Sequence, residues 1–114
     1  MIQAELILDG AGLLRSCLVK GHAGAGRAGN DIVCAAVSVL TRTILLVLHQ
    51  RKDIIFRAIP EQGNFLMEVL NCDPGGRDFL AGAGSFLIEG LLSVQSEFPG
   101  FCNVTIERRN SYGT

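Results

Sequence analysis

Four side chains capable of joint chemistry lie near the start of this 114-residue chain: His22, Asp31, Cys34 and Ser38. An imidazole beside a thiol makes a nucleophile at neutral pH, because the ring accepts the proton that the sulfur must lose. Asn30 or Asp31 is placed to cap a helix, and Asp31 can also orient the imidazole. With Asp31 as the cap, Cys34 falls in the first helical turn. Unpaired amides and the positive end of the helix dipole there favour thiolate over thiol, and the same amides can hold the oxyanion of a tetrahedral intermediate. Ser38 follows Cys34 by one turn and shares its face. Between histidine and helix runs a loop, residues 21–29, carrying Gly21, Gly24, Gly26 and Gly29. Glycines leave it few side-chain anchors, so mobility without substrate is expected.

Two other readings compete for the same stretch. Gly24 to Gly29 spells G-x-G-x-x-G, which makes a phosphate or nucleotide cradle the second candidate. That motif belongs after the first strand of a parallel βαβ unit, in a longer chain, and Asp31 sets a negative charge near the supposed phosphate. The third reading is structural. Cysteine is a common small buried residue, and a single loop histidine usually does nothing. On spacing alone the structural reading leads.

The elements that must position these residues follow from periodicity. Residues 2–8 alternate as a strand, Asp9-Gly10-Ala11-Gly12 turns the chain, and residues 13–20 form the second strand of a hairpin. The glycine loop comes next, then an apolar helix reaching about Leu48. Residues 54–59 make a third strand, ended by Pro60, and residues 65–70 a fourth. Asn71-Cys72-Asp73-Pro74-Gly75-Gly76 breaks the chain before a second helix over residues 78–97, and residues 101–107 close with a fifth strand. The order is ββαββαβ, an α+β fold with two helices on a mostly antiparallel sheet of about five strands, in a single domain over residues 1–114. The first helix is apolar nearly all round, so the sheet and a second subunit are expected to cover it. Gly82, Gly84 and Gly90 weaken the second helix and imply close approach of another segment.

Composition excludes several classes. A net charge of −1 offers no electrostatic case for nucleic acid or an anionic membrane. Met1 to Asp9 lacks a basic leader, so no signal peptide is expected. The oily run of residues 32–48 is short for a membrane span and carries Arg42 at its centre. Cys17, Cys34, Cys72 and Cys102 are widely spaced, which fits a reduced, cytosolic chain rather than a disulfide frame. Only Cys17 and His22 are near enough to begin a zinc site, and a cage would need distant ligands. No metal and no cofactor is expected.

Gly21-His22-Ala23-Gly24, a glycine-bearing spacer and Asp31-Ile32-Val33-Cys34-Ala35-Ala36-Val37-Ser38 closely resemble the signature of the ribosomal-processing cysteine protease family (Prp, or YsxB-like). Length and element order extend the likeness over essentially the whole chain. Many members carry an aromatic residue where this chain has Ala25. The resemblance implies a bacterial cytoplasmic endopeptidase that removes a short N-terminal extension from large-subunit ribosomal protein L twenty-seven, cutting after a phenylalanine. It implies His22 as general base and Cys34 as nucleophile, with Asp31 and Ser38 at supporting signature positions, an apolar pocket beside Cys34, and a homodimer. The rival function is a non-catalytic ribosome-associated or nucleotide-binding module that uses the glycine loop as an anion nest.

Overall fold

Alternating apolar side chains pair β1 (Ile2–Asp9) with β2 (Leu14–Lys20) as an antiparallel hairpin, with Leu6 opposite Cys17 and Ala4 opposite Val19. Asp9 closes its turn by accepting the amides of Ala11 at 2.9 Å and Leu13 at 3.0 Å, while Gly12 takes the positive φ of 85°. The computed structural model describes residues 1–21, 28–61 and 63–110, with main chain only at residues 28–31. The chain continues through α1 (Ala28–His49), β3 (Ile54–Glu61), β4 (Asn64–Cys72), α2 (Arg77–Glu97) and β5 (Cys102–Arg109). A single 3-10 turn at Pro74–Gly76 leads into α2. This is the expected ββαββαβ order.

The five strands lie in the order β3-β4-β2-β1-β5. Neighbours are antiparallel except β1 and β5, which run parallel, so the sheet is mixed. The parallel partners stand at opposite ends of the chain. No described strand–helix–strand unit therefore surrounds the glycine loop in the way a dinucleotide fingerprint requires. β3 does not stop at Pro60; it runs on to Glu61, with Pro60 opposite Phe65. β3 is an edge strand, where a residue without an N–H can be accommodated.

α1 starts earlier than its cap signal suggests. Ala28 and Gly29 are already helical, so Asn30 and Asp31 lie inside the first turn and neither is the cap. Alanine has the highest helix propensity, and the helix extends backward through Ala28. Gly29 accordingly belongs to the helix, not to the loop. Of the loop over residues 21–29 that is expected to be mobile, residues 22–27 lie outside the described residues.

Both helices pack on one face of the sheet. Val33, Val37, Ile44 and Leu48 of α1, and Leu80, Leu87 and Leu91 of α2, are buried against Leu6, Cys17, Val19 and Met67. The spacing of each set matches a helical stripe. By length and composition the window Ile32–His49 would suit a membrane, with mean hydropathy 2.1. In the fold it lies along the sheet and α2, but its coverage is incomplete, because Ile32, Val39 and Leu46 remain exposed.

The three glycines of α2 divide by what surrounds them. A methyl at Gly84 would stand 3.1 Å from the Leu14 side chain, and one at Gly90 would stand 2.7 Å from the Leu40 Cδ2. Close packing explains these two. At Gly82 nothing lies within 4 Å, so proximity is not its reason. Replacing Gly82 with Ala therefore adds only helix propensity, and the variant should gain about 0.5–1 kcal/mol of stability in denaturant titration.

Candidate active site

Cys34 is the seventh residue of α1 and half-buried, on the side of the helix that shares a cleft with the sheet. Its own amide lies beyond the first turn, where regular helix geometry pairs it with the carbonyl four residues back. The helix dipole therefore gives Cys34 little of the push toward thiolate that a first-turn cysteine would feel, since that effect fades within one turn. Asp31 is in the first turn, a position that favours a carboxylate, and its side chain is outside the described structure.

The cysteine opens on a cleft of about 170 Å³. One wall is the stripe of α1 formed by Cys34, Ser38, Thr41 and Arg42, whose three- and four-residue steps keep them on one side. The floor is apolar, from Ile2, Val19, Val37 and Phe65. The far wall is the β3–β4 hairpin end, with Pro60, Glu61 and Gly63, and Gly21 closes the cleft where β2 finishes. The Gly21 amide donates to the Gly63 carbonyl at 3.1 Å, tying β2 to the hairpin.

The polar groups of the cleft differ in their commitments. Thr41 is buried, and its hydroxyl bonds back to the carbonyls of Val37 at 3.1 Å and Ser38 at 3.2 Å. That hydroxyl serves the helix. Among the described residues the Ser38 hydroxyl makes no hydrogen bond, so Ser38 joins Cys34 as a polar group open to a ligand. Cys34, Ser38 and Gly21 line one cleft, while His22, Gly24 and Gly26 lie outside the described residues.

The other three thiols occupy different settings. Cys17 is fully buried, and burial pushes its pKa up to about 12. Burial likewise raises Cys102 on β5, and raises Cys72 with a further contribution from the Asp53 charge. A raised pKa keeps a thiol protonated and unreactive at neutral pH.

Arg42, Glu61 and Gly63 did not stand out as site residues in the sequence. Arg42 was within reach of pattern reasoning, because it lies eight residues, a little over two turns, after Cys34. Glu61 and Gly63 carry no local signal, since only the sheet's pairing brings the hairpin beside α1.

A half-buried, helix-borne thiol opening on a cleft with an apolar floor and an open hydroxyl beside it gives a substrate access to a nucleophile, the first requirement of a thiol hydrolase. The pattern of the cysteine protease Prp family matches residues 1–103, and the chain belongs to that family of cysteine proteases. No curated protein matches the chain. Among solved structures, SMU.848 from Streptococcus mutans shares 28% identity and a TM-score of 0.77, covering 96% of each chain. The fold is shared too by the essential ribosomal processing protease Prp from S. aureus in complex with a substrate peptide. That likeness has 17% identity and a TM-score of 0.77, over 93% of this chain and 99% of that one. The same protease with a covalently linked product peptide gives 18% identity and the same TM-score and coverage.

Proposed function

We propose that this protease removes the short N-terminal extension of large-subunit ribosomal protein L twenty-seven in the bacterial cytoplasm, cutting after a phenylalanine. Cys34 is the nucleophile and His22 the general base. The observation that carries this reading is the shared cleft of Cys34 and Gly21. Gly21 precedes His22 directly in the chain, so the cleft that Cys34 lines also holds the histidine's sequence neighbour.

In this mechanism His22 takes the Cys34 proton as the sulfur attacks the scissile carbonyl. The tetrahedral adduct collapses, the C–N bond breaks, and His22 returns the proton to the departing amine. Water, deprotonated by the same imidazole, then cleaves the thioester and restores the thiol. Asp31 orients the imidazole, and Ser38 donates to the substrate or to the sulfur. The apolar floor of Val19, Val37 and Phe65 suits the aromatic side chain before the cut. Wild type and His22→Ala are to be compared on a peptide of the ribosomal-protein tail by mass spectrometry. His22→Ala should lose about 10²–10⁴-fold in rate; equal cleavage would remove the histidine from the mechanism.

The protein is also proposed to act as a homodimer joined through its helices. A groove of about 580 Å³ between α1 and α2 is lined almost wholly by apolar side chains, including Val39, Ile44 and Val47. Phe86 lines the same groove, yet is 71% exposed. A projecting ring beside an apolar groove is self-complementary under a twofold axis, since each copy offers both knob and hole. Phe86→Glu should give a monomer in analytical ultracentrifugation where wild type sediments as a dimer. An unchanged dimer would place the interface elsewhere.

A further inference from the structure

Arg42 and Glu61 are the charged residues among those described that line the cleft, one on α1 and the other on the hairpin wall. They form no ion pair with each other or with any other described residue. Both are exposed, so each charge is available to whatever lies in the cleft. Arg42 stands eight residues beyond Cys34, which is about 12 Å along the helix axis. An extended peptide advances about 3.3 Å per residue, so a chain lying along α1 from the thiol reaches the guanidinium after three or four residues.

We infer that Arg42 is a specificity-determining residue, which selects an acidic side chain three or four residues from the bond that is cut. The inference rests on the protease reading, with Cys34 as the reacting thiol. It adds a charge preference to a site whose other known features are an apolar floor and a nucleophile. Guanidinium groups suit this task because their planar fork meets a carboxylate through two parallel hydrogen bonds. Glu61 supplies the opposite sign on the opposite wall, so one peptide can satisfy both charges only with its acidic and basic residues at different positions.

The test uses the full-length protein and a set of peptides built on one neutral sequence with a phenylalanine before the cut. Asp or Lys is placed in turn at each of the four positions on either side. With wild type, Asp should exceed Lys by about fivefold in kcat/KM at one position three or four residues from the cut, chiefly through KM. Arg42→Glu should reverse the preference there, and Arg42→Gln should bring the ratio near one. At high salt the preference should shrink, as screening requires. The preference for Lys that Glu61 creates should vanish in Glu61→Gln and persist in Arg42→Glu. Coincident profiles for wild type and both Arg42 variants overturn the inference while the protease reading stands. If wild type cuts none of the peptides, including the neutral one, the protease reading falls and this inference with it.

Discussion

Replacing Cys34 with Ala should abolish cleavage of the ribosomal-protein tail, with a loss of about four or more orders of magnitude in kcat. No other side chain in the described cleft can form the thioester: Thr41 is committed to helix carbonyls, and the Ser38 hydroxyl is a far weaker nucleophile than a thiolate. The fold should survive the change. Cys34 is only half-buried and packs at the margin of the core, so removing its sulfur should cost about 1 kcal/mol or less. Thermal unfolding can thus separate a chemical loss from a structural one. Alkylation offers a second measurement. At neutral pH the first thiol labelled should be Cys34, with Cys17 protected by burial and by its pKa of about 12. Loss of activity should track that single label in peptide mapping. Full cleavage by Cys34→Ala would end the protease mechanism built on this residue.

The second large effect is expected at Gly21. Its φ of +93° is a conformation that side chains rarely adopt, and a Cβ there would sit 2.6 Å from the Met1 carbonyl oxygen. That neighbour is main chain at the start of β1, with little freedom to withdraw, because the Ile2 amide is bonded to the Phe101 carbonyl at 2.9 Å. Gly21→Val should therefore cost about 2–4 kcal/mol, seen as a fall of about 10 °C in Tm. It should also lose activity at temperatures where it stays folded, because His22 follows directly in the chain. Gly100→Ala provides the comparison. Gly100 has a similar φ of +89° but nothing within 4 Å of its Cβ position, so it reports the backbone cost without the collision. A Gly21→Val protein as stable as Gly100→Ala would show that the collision is relieved without cost.

Several features of the fold were legible because they depend on local periodicity. The alternation in residues 2–8, with buried Ile2, Ala4 and Leu6, marks β1 and its inward face together. The stripe Val33, Val37, Ile44 and Leu48 marks α1 in the same way. The start of α1 is not legible in the same way. Asn30 and Asp31 are good caps in isolation, yet Ala28 and Gly29 join the helix ahead of them, and Cys34 is consequently one turn deeper. The end of β3 depends likewise on its surroundings. Pro60 stops strands in a sheet interior, and nothing in residues 54–61 reveals that β3 lies at the edge.

For the site, the sequence alone determined the thiol at Cys34, the serine one turn later and the family signature that joins them to His22. Those depend on residue type and short spacing, which a chain carries whether folded or not. Only the tertiary structure decided what faces the thiol. β4 pairs with β2, which carries the β3–β4 hairpin to the end of the sheet where Gly21 meets Gly63, and α1 crosses above it. Strand pairing is a contest among distant segments for one shared buried face, so no local pattern encodes its outcome. Glu61 and Gly63 come to line the cleft of Cys34 by that route, and Arg42 becomes a cleft residue because the hairpin stands opposite it.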